Sequence, residues 1–330
     1  MEAENYSLRT PDGELRAESI GPGQWKLTVA ASTPDLFVAR QSCVTSFPRS
    51  LVEAFLENSG LGWVCDGIAR HCDDEYVLKV IRRQLFSYFA PEEFAGKRIL
   101  DFGCGSGGST FGMGKLLPNT EIIGAELEGA NVQLAQKVGA FRQVANVRVL
   151  CSPAPDRLPD NIGSFDFIML SAVYEHLLPA ERSQLTPLLW SKLKIGGALF
   201  VNQTPHRYFP YEHHSTGLWF VNYMPDRMAH RWVMSRTRFK WPDWNEHLRG
   251  GLRGATENEI LRKLSAKPGG AKILQPSRND LHSRADYWLA GTSPRHRAAK
   301  RAIWIAFQVT DKIFQTIPAM NIDVVIQRVA

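Results

Sequence analysis

The sequence predicts an α/β protein: a mostly parallel, seven-stranded sheet with helices on both faces, an N-terminal segment and an inserted cap. Three observations lead there. Strand and helix patterns alternate from Arg98 to Asn202, as right-handed crossovers between parallel strands require. The first of those strands runs directly into a glycine-rich loop, and two more strand-like runs, Ala271 to Leu274 and Ile322 to Arg328, lie near the end of the chain.

In chain order, residues 1–73 read as an N-terminal extension. Within it Glu14 to Ala30 suits a hairpin, since Trp25, Leu27 and Val29 alternate after the turn Gly21-Pro22-Gly23. Residues 74–204 read as the core. It opens on a helix in which Val77, Val80, Ile81, Leu85 and Tyr88 recur at helical spacing behind Asp73, Asp74 and Glu75. Strands follow at Arg98 to Phe102, Glu121 to Ala125, Val147 to Cys151, Phe165 to Leu170 and Ala198 to Asn202, with helices at Gly107 to Leu117, Ala130 to Arg142 and Ala180 to Leu193. From His206 to Trp244 the chain is rich in Tyr, Phe, Trp, His and Arg and lacks strand alternation, so residues 205–270 read as a cap over the carboxyl edge of the sheet. Residues 271–330 complete the sheet. No internal repeat or low-complexity tract interrupts this order.

The 330 residues, 44% hydrophobic and 22% charged, can bury a sizeable core without disulfides or metals. Five cysteines (Cys43, Cys65, Cys72, Cys104, Cys151) form no CxxC pair, and Met1 to Arg16 is polar with no apolar signal core, so a reduced, cytoplasmic protein is expected. No run reaches the roughly 18 apolar residues of a spanning helix; Ala302 to Met320 comes nearest and is broken by Asp311 and Lys312. Arg295, Arg297, Lys300 and Arg301 precede the apolar run Ile303 to Phe307. That basic, amphipathic segment suits either a peripheral contact with an anionic membrane face or a helix docked on its own domain. A homo-oligomer stays open.

The loop after the first strand is the most informative stretch. Gly103, Gly105 and Gly108 satisfy GxGxxG, a weak signal that also fits a NAD-dependent oxidoreductase. Asp101, two residues before the first glycine, suits a cofactor with a cationic amino-acid end and a sulfonium better than a pyrophosphate. Glu126 ends the second strand roughly 20 residues downstream, where an acid can accept hydrogen bonds from ribose hydroxyls.

The run Arg98-Ile99-Leu100-Asp101-Phe102-Gly103-Cys104-Gly105-Ser106-Gly107 resembles the first motif of class I, Rossmann-like S-adenosylmethionine-dependent methyltransferases. Phe165-Asp166, Tyr174-Glu175-His176 and Leu193-Lys194-Ile195-Gly196-Gly197 resemble that family's later motifs in the right order, and the likeness covers about Val77 to Asn202. The resemblance implies S-adenosyl-L-methionine as cofactor. Asp101, Gly103, Cys104 and Gly105 would then lie at its methionine end, Glu126 on the ribose, Leu127 against the adenine and Ser171 facing it from the fourth strand. Two departures stand out: Ile195 replaces a usual proline, and Ser152-Pro153-Ala154-Pro155 lacks the acid that often meets the adenine amine, which leaves adenine recognition open.

For the acceptor, Leu170-Ser171-Ala172-Val173 is neither the acid/Asn-Pro-Pro-aromatic loop of nucleic-acid N-methyltransferases nor a Pro-Cys loop, so no DNA partner is expected. A hydroxyl nucleophile needs a base beside it. His176, next to Glu175, and the cap residues His206, His213 and His214 are the candidates. Glu212 beside adjacent histidines offers no HxxxH or HxH spacing, so no metal is expected. Aromatic faces with polar tips suit a sugar or polyhydroxylated ring. The expectation is O-methylation of a small-molecule or glycan hydroxyl, with a lipid-linked sugar as one form of it. An RNA-directed module is the alternative, since Arg207, Arg227, Arg231, Arg236, Arg238, Lys240, Arg249 and Arg253 outnumber the acids of the cap stretch.

Overall fold

Four strands, β1 (Tyr6–Thr10), β2 (Gly13–Gly21), β3 (Gln24–Ala31) and β4 (Ser42–Thr45), form an antiparallel sheet in chain order. Alternation dictates its buried face: Leu15, Ala17, Leu27 and Val29 all point inward. The hairpin expected at Glu14 to Ala30 is the β2–β3 pair, which turns at Pro22-Gly23. The computed structural model describes residues 5–237, 241–264 and 270–330. Arg238 and Lys240 of the basic cap stretch lie outside the described residues.

Three helices follow: α1 (Arg49–Ser59), α2 (Val64–Cys72) and α3 (Asp74–Phe86). The chain then alternates through β5 (Arg98–Phe102), α4 (Gly108–Leu116), β6 (Glu121–Glu126), α5 (Gly129–Arg142), β7 (Val147–Cys151), β8 (Phe165–Ser171), α6 (Pro179–Lys192) and β9 (Leu193–Pro205). A stretch of short elements comes next: β10 (Tyr211–Glu212), β11 (Leu218–Trp219), α7 (Asp226–Arg236), α8 (Trp244–Arg249) and α9 (Glu257–Lys263). The chain finishes with β12 (Ala271–Ile273), α10 (Arg284–Ala290), α11 (Arg297–Phe314) and β13 (Asn321–Arg328). Seven strands make the central sheet in the order β12-β13-β9-β8-β5-β6-β7. No helix among the described residues is long and apolar enough to cross a membrane.

The chain divides into two units. The first comprises Met1–Gln84 with Cys104–Cys151. Its core joins the inward faces of β2 and β3 to Phe47, Val52, Phe55 and Ile68 and to Phe111, Ala135 and Val138. Phe47 stacks on Phe55 with ring centroids 5.6 Å apart, and each fully buried phenyl contributes about 1.5–3 kcal/mol. In this unit β6 pairs in parallel with β7 across the α5 crossover.

The second unit comprises Leu85–Gly103 with Ser152–Ala330. Here β8 pairs in parallel with both β5 and β9, while β13 returns antiparallel to β9 and β12 antiparallel to β13. An aromatic layer of Phe89, Phe94, Phe167 and Phe200 backs these strands. Strand β9 is longer than its local pattern predicts, because β13 pairs with it from Ala198 to Pro205. Between β9 and β12 the chain builds a small core of its own from Val221, Ala229, Val233 and Leu252. That segment is fastened at the end of β9, where the Ala255 amide donates to the Pro205 carbonyl at 3.0 Å.

Candidate active site

The chain leaves β5 and must enter α4 within six residues. At Gly103, φ is +72° and a Cβ would stand 2.6 Å from Val173, so close packing requires glycine. At Gly105, φ is +55° but a Cβ would meet nothing within 4 Å, so that side of the backbone lies open to a ligand. Its amide donates to Glu126 Oε2 at 2.7 Å, while Glu126 Oε1 accepts from the amides of Leu127 (2.9 Å) and Glu128 (3.0 Å). The carboxylate therefore sets the loop and the strand end against each other, and three of its roughly four acceptor positions are used. Leu127 beside it is 41% exposed. Cys104 fits because residue 124 is glycine, where a Cβ would lie 2.8 Å from the Cys104 sulfur.

The same loop has a support that sequence reasoning missed. His71, at the end of α2, places Nε2 3.2 Å from the Ser106 hydroxyl. Burial, reinforced by Arg142 and Arg70, lowers its pKa to about 3, so the ring is a neutral hydrogen-bonding strut. Only the fold brings residue 71 to residue 106, and no local spacing announces it.

In the second unit Asp101 is buried at the carboxyl end of β5, in register with Met169 of β8. Ser171 ends β8 in register with Asn202 of β9. Asn202 is buried and its side-chain nitrogen has no hydrogen-bond partner. Two non-glycine residues adopt left-handed backbone here, Ala172 (φ 55°) and Gln203 (φ 59°); such strain collects where strand ends are bent to present side chains.

Just past β8, Glu175 is fully buried. Its Oε2 accepts from the Thr204 hydroxyl at 2.8 Å, while its Oε1 has no hydrogen-bond partner and lies 3.9 Å from His176 Nε2. His176 Nδ1 is 2.6 Å from the Arg249 carbonyl, which can only accept, so Nδ1 carries the hydrogen and Nε2 the lone pair of the neutral ring. The ring of His214 stands 5.3 Å from that of His176. Ligand atoms of Glu175, His176 and His214 all lie within 4.8 Å of one another, a grouping that residues 175, 176 and 214 do not reveal by linear spacing. Burial raises the Glu175 carboxyl above the usual range, although His176 opposes it. Partial burial, then the neighbouring His176, holds His214 below the ordinary imidazole value.

Glu212 builds the platform for His214. It accepts from the amides of His214, Ser215 and Thr216 and from the hydroxyls of Ser215 and Thr216. His213 is on the same loop, 6.5 Å from His214 and nearly perpendicular to it. Gly251 (φ +89°) clears the way from α8, since a Cβ there would sit 2.3 Å from the His214 ring.

His206 is placed elsewhere. It is buried, its Nδ1 accepts from the Tyr208 amide at 3.0 Å, and its Nε2 lies 3.1 Å from both Glu257 and Thr316. Arg284 completes that network by donating to Glu257 and, at 2.7 Å, to Asp311. Both ring nitrogens of His206 are thus engaged within the interior. Of the basic residues between His206 and Arg253, Arg249 pairs with Glu181 and Arg253 pairs with Asp226 at 2.8 Å, so two of them serve internal contacts.

Residues 99–197 match the family model described as a methyltransferase domain. They form a class I S-adenosylmethionine-dependent methyltransferase domain. The match decides the glycine loop against the nicotinamide reading. The rat mitochondrial ubiquinone biosynthesis O-methyltransferase is 32% identical over 110 residues, 32% of this chain and 30% of that protein. The tRNA (guanine-N(7)-)-methyltransferase of Thermus thermophilus is 27% identical over 161 residues, 45% of this chain and 50% of that protein. The chain therefore spans half or less of the lengths of these relatives. A solved structure, PKMT2 from Rickettsia typhi in complex with AdoHcy, aligns with a TM-score of 0.45 at 16% identity, over 77% of this chain and 52% of that one.

Proposed function

We propose that this chain transfers a methyl group from S-adenosylmethionine to a hydroxyl oxygen of a small molecule or glycan. The grouping of Glu175, His176 and His214 past β8 carries the reading. S-adenosylmethionine, when bound, supplies a methyl carbon made electrophilic by the adjoining sulfonium. Asp101, Gly103, Cys104, Gly105, Glu126, Leu127 and Ser171 are the residues assigned to holding it. The open side of Gly105 and the exposed face of Leu127 fit such a nucleoside, and Glu126 retains acceptor capacity for a ribose hydroxyl.

Proton removal falls to the histidines. His214, held neutral near pH 7 by its environment, takes the hydroxyl proton as the oxygen attacks. His176, its Nδ1–H fixed on the Arg249 carbonyl, presents Nε2 beside it, and the free Oε1 of Glu175 stabilises positive charge that develops on the pair. His213 is assigned a hydrogen bond to the acceptor molecule. His206 anchors the fold through Glu257.

For the acceptor, Tyr211, Trp219, Phe220 and Tyr223 form a chain of rings with successive centroids 5.1, 5.9 and 6.3 Å apart, and the last three are more than half exposed. Flat apolar faces of this kind suit a sugar or phenolic ring. The rat relative, named as an O-methyltransferase, supports oxygen as the acceptor atom. The tRNA enzyme of Thermus thermophilus supports an RNA substrate instead, but the internal pairing of Arg249 and Arg253 weakens that alternative. No disulfide joins any of the five cysteines, in keeping with a reducing cytoplasm.

The test is transfer of labelled methyl from S-adenosylmethionine to a panel of phenols, pyranosides and tRNA, with and without EDTA. Methylation of a hydroxyl that survives EDTA, and is lost in His214→Ala, is expected. Activity abolished by EDTA and restored by a divalent ion would make the cluster a metal cradle and sink the proton-acceptor assignment. Methylation of tRNA alone would refute the small-molecule reading.

A further inference from the structure

Helix α11 meets its own unit along a narrow seam. Of its 18 residues only Phe307 is buried, edge-on to Trp288 at 4.8 Å, and Trp304 donates to Asp286 at 2.7 Å. Its one acid, Asp311, faces inward and pairs with Arg284 at 2.7 Å. On the other side Ile305, Val309 and Ile313, spaced four residues apart on one ridge, are 53%, 50% and 64% exposed. Ala302 and Ala306 widen that ridge, and Phe314 extends it at 60% exposure.

Cations border the ridge without any acid among them: Arg297, Arg301 and Lys312 are exposed. At the helix start, a cleft of about 660 Å³ opens against α10. Leu289, Ala290, Pro294 and Trp304 contribute its apolar lining; Arg297, Lys300 and Arg301 its three cations; and Asp286, which accepts from Trp304, its one acid. Water is a poor solvent for such a ridge, and an anion is the natural complement of such a rim. One surface supplies both, because a bilayer of anionic phospholipid offers acyl chains beneath a plane of phosphates.

We propose that α11 lies on an anionic phospholipid bilayer, its Ile305–Val309–Ile313 ridge sunk among the acyl chains and a lipid phosphate seated at the Arg297–Lys300–Arg301 cleft. A helix of this length is about 27 Å long at 1.5 Å per residue, enough to lie in the interface but interrupted by charge and so unsuited to spanning it. This docking is independent of methyl transfer.

Co-sedimentation of the full chain with vesicles tests it. Vesicles of phosphatidylcholine with phosphatidylglycerol should pellet the protein, while phosphatidylcholine alone should not. Molar salt, which shortens the screening length to about 3 Å, should weaken the binding. Arg297→Gln with Arg301→Gln, and separately Ile305→Ser with Val309→Ser, should each weaken it at least tenfold. These positions are exposed, so unchanged circular dichroism and an unchanged unfolding temperature are expected of both variants. Equal pelleting of wild type and variants, no pelleting by anionic vesicles, or full competition by free inorganic phosphate would overturn the proposal. So would a lipid-free dimer abolished by Ile305→Ser with Val309→Ser, which would give the ridge to a second copy of the chain.

Discussion

At the scale of single residues, Glu126 and His214 separate cofactor binding from chemistry. Glu126 already orders three backbone amides. Glu126→Ala should weaken S-adenosylhomocysteine binding by roughly ten- to hundredfold, the equivalent of about 1.5–3 kcal/mol for hydrogen bonds to a charged group. Calorimetry reads this directly, and wild-type affinity in the variant would remove Glu126 from the site. His214→Ala should do the reverse, lowering turnover by roughly hundredfold or more while leaving that affinity intact. A base works deprotonated, so activity falls as pH drops through its pKa. With His214 held below the ordinary imidazole value of 6.5, the acid limb of kcat should lie below pH 6.5. A limb centred above pH 7 would point to a different base.

Elements differ in how plainly the sequence announces them. The strands β5 to β8 and helices α4 to α6 were legible because each carries a dense apolar pattern and sharp glycine or polar boundaries within its own span. The placement of Asp101, Gly105 and Glu126 could be read for the same reason: a loop and a strand end are local features. By contrast β4, α1 and α2 are defined by the core they share with Phe111 and Val138, which the linear pattern does not show. His71 and the Glu175–His176–His214 group stayed hidden too, since only folding juxtaposes them. The α2–loop contact predicts that His71→Leu, which keeps bulk and removes the hydrogen bond to Ser106, weakens S-adenosylhomocysteine binding and lowers the unfolding temperature; unchanged binding would deny it any part in positioning the loop. Gly251→Ala tests the platform under His214. A methyl at φ +89° would stand 2.3 Å from the imidazole, so transfer should fall while cofactor affinity holds. Full activity would show that His214 need not keep its place.

The molecule as a whole is held at its C-terminal end by a buried polar network rather than by apolar packing alone. Burial pushes the Glu257 carboxyl up, but the His206 hydrogen bond and the Arg284 charge outweigh it, and the pKa falls to about 2 from 4.5. A depressed carboxyl pKa contributes stability that is fully present above the unfolded value and lost as pH falls through the folded one. The chain should therefore lose stability between about pH 4.5 and pH 2, through Glu257 among other carboxylates. Glu257→Gln should cost about 3–5 kcal/mol at neutral pH, as expected when one member of a buried ion pair is removed, and should flatten that acid dependence; denaturant unfolding at several pH values measures both. An unaltered acid transition would mean that the network contributes little.

The central claim is that the glycine loop after β5 and Glu126 bind the nucleoside of a methyl donor. Calorimetric titration of the intact chain with S-adenosylhomocysteine, run beside NAD, tests it most directly. Saturable heat with S-adenosylhomocysteine alone, sharply reduced in Glu126→Ala, is the predicted result. Binding of NAD in its place, or no heat from either, would contradict it.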